Sequence, residues 1–306
     1  ITFRILTDLM GANTPINQIN RVDCRRVQEV FTILPANSTK RFPNLTVLQM
    51  VEKAQKMKLE PMNPVSANTY IMRLSSMLGW AVREGLLTNN PAQGLLLPET
   101  ESAKDKRLPF TPNELKAIFS VEKMLQYKRS NNAAFWIPML SLWTGARLNE
   151  LCQLHTADIQ TRDEIDCMVI AAGDGKRLKT AHSQRVIPLH PTLIELGFLE
   201  YVQQVHTTGE AKLFPHLKLG SKGSTSDGFS KDFARFLKAS HIKSAKNCFH
   251  SFRHNFRDAL REAGIEREVV QALGGWKDKS GGVEDNYGSG HSMKRLHDAI
   301  CKISYD

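Results

Sequence analysis

The run PETESAKDKRLP, residues 98–109, is polar, charged and without hydrophobic periodicity, so it fits no helix or strand that could bury a face. A chain of 306 residues interrupted in this way cannot close one continuous core and is expected to build two. The expected organisation is a helical domain over 1–97, a linker over 98–110, a larger domain over 111–290, and a C-terminal helix and tail over 291–306. With 41% hydrophobic residues there is enough apolar side chain for both cores.

The two parts differ in periodicity. In the first, Asn13-Thr14-Pro15-Ile16 predicts a helix start, with Thr14 as cap and Pro15 in the first turn. Ile71, Leu74, Leu78 and Ala81 recur at helical spacing within a helix predicted over 65–87 and closed by Asn89-Asn90-Pro91. Up to residue 100 there are eleven Lys/Arg against seven Asp/Glu. Arg21, Arg25 and Arg26 are read as one basic helix face and Lys53 and Lys56 as another, each either a phosphate grip or a solvated surface. In the second part, Thr111-Pro112-Asn113-Glu114 has capping-box spacing with Pro at the first helical position. An apolar helix over 133–143 ends at Thr144-Gly145, and a further helix starts with Arg147. The runs 164–172 and 185–189 predict a small antiparallel sheet joined by a long turn carrying Lys176, Arg177 and Lys179. Helices are expected over 191–206, 228–240 and 293–300. The fold class is therefore mainly α with a small antiparallel β-sheet.

The segment 248–290 concentrates chemically capable side chains. His250 and Arg253 stand one turn apart on a predicted helix that Gly264 caps. A second helix, 267–273, ends at Gly274-Gly275, Trp276 follows, and Tyr287 lies beyond a glycine-containing loop. Taken singly, each position has a plain structural reading: a core histidine, a core indole, a loop phenol. Together, a cation, an imidazole, an indole N–H and a phenol suit transfer of a phosphodiester to a tyrosine oxygen.

Bulk properties narrow the partners. A net charge of +10 and a pI near 9.4 favour a polyanion, because binding of Lys and Arg to phosphates releases counterions. No apolar run approaches the roughly 18 residues of a membrane span, and no signal peptide is visible. Five scattered cysteines, an odd number, read as reduced thiols in the cytoplasm rather than as a disulfide framework. Cys248, His250 and His254 lack a fourth ligand and have Arg253 among them, so no metal and no cofactor is expected. The chain starts at Ile1 rather than Met, which leaves room for an upstream segment.

The order T-G-A-R-L-N-E-L, then a lysine in a β-turn, then H-x-x-R, then G-G-W and a tyrosine resembles the tyrosine recombinase (phage integrase) family. The resemblance covers about 111 to the end, and the helical part before it is similar to that family's core-binding domain. It implies that Arg147 and Arg253 are the two catalytic arginines, Lys179 the β-hairpin lysine, His250 the histidine of the H-x-x-R box and Tyr287 the nucleophile. Trp276 falls where most members carry a second histidine and some a tryptophan. Two departures stand out. Trp276 and Tyr287 are further apart than is usual in the family, and Tyr305 is a rival nucleophile near the chain end. The resemblance further implies double-stranded DNA as partner, a homotetramer on two DNA sites, and residues 291–306 packed on a neighbouring protomer; the state of the free protein, a monomer among the options, is left open.

The chemistry follows from the side chains. Two guanidinium groups supply fixed bidentate donors for the charge that gathers on a five-coordinate phosphorus. Trp276 adds a neutral donor, Lys179 protonates the leaving 5′-oxygen, His250 accepts the phenol proton, and Glu150 either orients the site or lies plainly on the surface. The expected function is site-specific DNA cleavage and rejoining without metal or ATP. The rivals are a type IB topoisomerase or telomere resolvase, and a catalytically silent DNA-binding regulator.

Overall fold

The computed structural model describes residues 2–98, 107–120, 122, 126, 133–180, 183–220, 223–242, 246–276 and 290–305. The chain separates into two compact units, Ile1–Ser102 and Ala103–Asp306. Among the described residues no helix is long and apolar enough to cross a membrane.

In the first unit, α1 (Thr2–Met10), α2 (Arg21–Ile33), α3 (Ser38–Arg41), α4 (Val47–Lys56) and α5 (Pro64–Arg83) enclose a core that includes Ile5, Val27, Phe31, Met50, Ile71, Leu74 and Leu78. Two expectations are corrected here. Thr14 does not cap a long helix: its hydroxyl donates to Met10 O at the end of α1, leaving only a 3₁₀ turn at Ile16–Gln18. The helix proper starts at Asn20, whose side chain accepts from Val22 N and Asp23 N while Asp23 caps back. Likewise α5 ends at Arg83, not at Asn89-Asn90-Pro91, because Gly85 takes the left-handed conformation (φ 72°) and Leu86 N bonds back to Ala81 O.

The second unit opens with α6 (Pro112–Ile118), capped by the Thr111–Glu114 box that its spacing predicts. The apolar α7 (Ala133–Thr144) is buried along most of its length and packs against α12 (Ser251–Glu262). Between them in sequence come α8 (Leu148–Cys152) and a three-stranded antiparallel sheet: β1 (Ile159–Arg162), β2 (Ile165–Ile170) and β3 (Arg185–Pro188), in that order. Its register sets Ile159 opposite Met168 and Ile170 opposite Arg185. Strand β1 is short and largely exposed, so it lacks the apolar alternation that reveals β2 and β3.

The helix expected over 191–206 is two, α9 (Pro191–Glu195) and α10 (Phe198–Thr207), broken at left-handed Gly197. Next come α11 (Thr225–Ala239), α13 (Arg267–Gly274) and α14 (Met293–Ile300). Leu296, Ala299, Ile300 and Ile303 are buried in this unit's own core.

Candidate active site

The turn between α7 and α8 brings in the first arginine. Gly145 is left-handed (φ 63°), and a Cβ there would lie 2.3 Å from the Phe256 ring, so only glycine fits. Arg147 caps α8 and binds Glu150 twice: its backbone N–H donates to Glu150 Oε2 at 2.9 Å and its Nη1 to Oε1 at 2.6 Å. Nη1 also donates to Ser183 Oγ at 3.0 Å. Glu150 is 3% exposed, which removes the surface-carboxylate reading. Burial alone would push its carboxyl up, but Arg185 beside it, with the bonds from Arg147, holds it below its ordinary value.

The second arginine comes from α12. Arg253 is buried, with Nη1 donating to Gly145 O and Nη2 to Gly274 O, both at 2.5 Å. Its guanidinium carbon lies 4.2 Å from the centre of the Trp276 ring, a cation–π contact. Burial, reinforced by Arg147 and Arg185, pulls Arg253 down to about 9, still charged at pH 7. His250 sits at the N-cap of α12, partly buried. Burial and the charges of Arg253, His254, Arg107 and Arg147 push it down to about 4, so the imidazole is neutral at pH 7 and able to accept a proton.

The end of α13 joins these groups. A helix leaves its last carbonyls without intrahelical partners, yet here four in succession are filled. Gln271 O accepts from Trp276 N, Ala272 O from Gly275 N, Leu273 O from Arg185 Nε and Gly274 O from Arg253 Nη2. Gly275 is left-handed (φ 60°). The Trp276 ring lies so close over Gly274 that a Cβ would meet it at 1.7 Å. The G-G-W sequence is therefore what allows the indole to fold back onto Arg253.

Of the hairpin-turn cations, Lys179 is exposed and adjoins Thr180, whose hydroxyl shares a hydrogen bond with Ser183 Oγ at 3.0 Å. Lys176 is a correction to the DNA-binding set. Its Nζ bonds Asp158 Oδ1 at 2.5 Å with both side chains 10% exposed or less, so a phosphate cannot reach it without breaking that pair. Arg177 is exposed, its backbone held by Gln153.

In the first unit, Arg25, Arg26, Lys53 and Lys56 are exposed, but the single basic face on α2 is not formed. At about 100° per residue Arg26 points about 140° away from Arg21. Arg21 itself donates to Pro91 O and Gln93 O, a structural tie. A stripe that the sequence reading missed runs along α5: Thr69, Arg73, Ser76, Trp80 and Arg83, all exposed and at spacings of three and four. The signal was the uncovered face of the same helix whose apolar face gave the core.

Tyr287 lies outside the described residues. Tyr305 is placed, and its phenol is engaged rather than presented: its hydroxyl donates to Leu142 O at 2.8 Å, its ring packs edge-on against Trp143, and burial raises its pKa. Missed altogether was Arg185, buried at 9% exposure among the groups just described. The strand alternation held the signal, since Arg185 shares a face with buried Ile187 and Leu189.

The family model described as the phage integrase family matches residues 109–283, more than half of the chain. The chain belongs to the phage integrase family. Membership makes it a tyrosine-type site-specific recombinase. A tyrosine recombinase from Pseudothermotoga lettingae is 24% identical over 233 residues, covering 75% of this chain and 72% of the relative. Tyrosine recombinase XerC of Proteus mirabilis is 24% identical over 215 residues, covering 69% of this chain and 64% of that protein. Among solved structures, the Tn1549 transposon integrase in complex with circular intermediate DNA shares the fold at TM-score 0.59 and 19% identity, over 97% of this chain and 90% of that one. A lambda integrase dimer bound to a core site does so at 0.53 and 17%, over 91% and 84%.

Proposed function

We propose that this integrase-family chain cleaves and rejoins double-stranded DNA through a 3′-phosphotyrosyl bond to Tyr287. The observation that supports this best is the anchored pair of arginines, partly exposed Arg147 fixed by Glu150 and buried Arg253 fixed by two carbonyls and the Trp276 face. Each guanidinium has five N–H donors, so its anchors fix the plane and leave others to face the non-bridging oxygens of a phosphate. Charge developing on those oxygens would then meet donors that need no reorganisation.

In the forward step the Tyr287 oxygen attacks phosphorus, its proton passes to neutral His250, and the bond to the 5′-oxygen breaks as Lys179 protonates it. The phosphotyrosyl ester keeps the energy of the original diester, so attack by another 5′-hydroxyl reverses the bond changes and releases the tyrosine. Trp276 supplies its indole N–H alongside its stacking role. Residues 111–290 form the catalytic domain, 1–97 the core-binding domain and 98–110 the linker. Arg25, Arg26, Lys53, Lys56, Arg177 and the α5 stripe contact DNA. The lambda enzyme is described as a dimer on a core site and the Tn1549 enzyme on circular intermediate DNA, which supports DNA as this chain's partner; assembly as a tetramer on two sites rests on the family resemblance alone. It acts in the cytoplasm, without metal.

The test uses DNA spanning the junctions of the genetic element that encodes the chain, nicked so that a cleaved strand diffuses away. Wild type and Tyr305→Phe should give a protein–DNA adduct that survives denaturation, and Tyr287→Phe none. An adduct lost in Tyr305→Phe but kept in Tyr287→Phe would overturn the choice of nucleophile. Specific binding with no adduct in any of the three would point to a silent regulator.

A further inference from the structure

Arg185 has no task in the reaction just described, yet its guanidinium bonds three segments that each adjoin a reacting group. Nη2 donates to Glu150 Oε2 at 2.9 Å, the carboxylate that holds Arg147. Nη1 donates at 2.7 Å to the carbonyl of Ser183, whose hydroxyl accepts from Arg147 and meets Thr180 beside Lys179. Nε donates at 2.9 Å to Leu273 O, one residue before the carbonyl that fixes Arg253. We propose that Arg185 is a positioning residue for strand cleavage, setting Arg147, the Lys179 turn and the Arg253–Trp276 pair in one geometry. The proposal rests on the strand-cleavage reading above.

The three acceptors surround one planar group, which a guanidinium can bridge with donors in fixed directions. An ammonium carries its donors on one atom and cannot reach acceptors on three sides of a plane at once. The space is shaped for the larger group: a Cβ on Gly275 would come within 3.1 Å of Arg185 Nη1, so the left-handed glycine both turns the chain and leaves room. A cation at 9% exposure is costly unless its partners are complete. Here a carboxylate shared with Arg147 and two carbonyls face it. Stability alone does not require such a charge, since an apolar side chain of similar volume serves a core as well. A set of directed bonds to three segments serves alignment.

The experiment uses the full chain and the nicked DNA above. It measures melting temperature, DNA affinity, and the single-turnover rate of adduct formation at saturating DNA. Arg185→Lys should bind DNA as wild type does and form adduct about a hundredfold more slowly, the size expected of a reacting group displaced by about 1 Å. On an Arg147→Lys background the same change should cost clearly less than the hundredfold it costs alone, because part of its effect passes through Arg147 and the rest through the Lys179 turn and Arg253. Arg185→Gln leaves Glu150 paired with Arg147 and should show the same hundredfold loss if Arg185→Lys does not fold. A wild-type rate at saturation, with any loss confined to melting temperature or affinity, would make Arg185 a fixture of the fold and overturn the proposal. Equal losses in both backgrounds would overturn it too. Absence of an adduct from wild type would instead overturn the cleavage reading on which it rests.

Discussion

His190 shows how one side chain ties packing to pH. It lies two residues past β3, accepts from Thr192 N through Nδ1 at 3.1 Å as the cap of α9, and stacks on Trp143 with ring centres 4.0 Å apart. Burial pushes its pKa down to about 4, from an ordinary value of 6.5. Between those values the unfolded chain takes up a proton that the folded chain refuses. The stability it contributes is thus present above pH 6.5 and is lost as pH falls toward 4. His250 titrates in the same direction for the same first cause, burial. His190→Asn keeps a good cap and removes one titration. It should lower the melting temperature at pH 7 through lost stacking, yet shrink the drop between pH 7 and pH 5. An undiminished drop in a melting series would show that His190 does not govern the acid limb. At this scale the spacing picked out Arg147, Arg253 and Trp276, which the structure brings together, while Glu150 was left equally open to a surface role. The sequence was silent among Lys176, Arg177 and Lys179, because three cations in one turn look alike until Asp158 claims the first.

Elements were legible where a local signal and a buried face coincide. Thr111–Glu114 capped α6 as its spacing predicts, and the Val- and Ile-rich runs gave β2 and β3. Boundaries set by a single left-handed glycine, at Gly85 and Gly197, were passed over because helical periodicity continues beyond them. The exposed side of α5 was also overlooked, since attention to its apolar face hides a stripe of two cations, two hydroxyls and an indole on the other. Arg73 is held over the Tyr70 ring at 5.4 Å, so it projects with part of its entropy already lost. If α5 lies on DNA, Arg73→Ala should reduce the slope of log affinity against log salt by about 1. Trp80→Ala should weaken binding without changing that slope. Titrations at several salt concentrations decide it: a slope unchanged by Arg73→Ala would place the phosphates elsewhere and return the role to Arg25, Arg26, Lys53 and Lys56.

For the whole molecule, the governing fact is that the buried apolar residues fall into two clusters with no member in common, one from Ile5 to Leu95 and one from Phe110 to Ile303. Such a chain follows from the aperiodic stretch after residue 97, which offers neither core a continuing face. Each unit should therefore fold from its own segment, and 1–102 and 103–306 produced separately should each unfold cooperatively by calorimetry. Joining them changes affinity. Once one unit holds DNA, the other meets it at the effective concentration set by the connecting segment, on the order of millimolar for a short flexible one. The intact chain should accordingly bind its site about 10²–10⁴ times more tightly than either fragment alone, and mixing the fragments should recover none of that gain. A mixture that binds as tightly as the intact chain would mean that the fragments reassociate through an interface of their own, and the two-core reading would fail. A fragment that shows no cooperative transition would fail it more directly, because it would mean that one core depends on the other for completion.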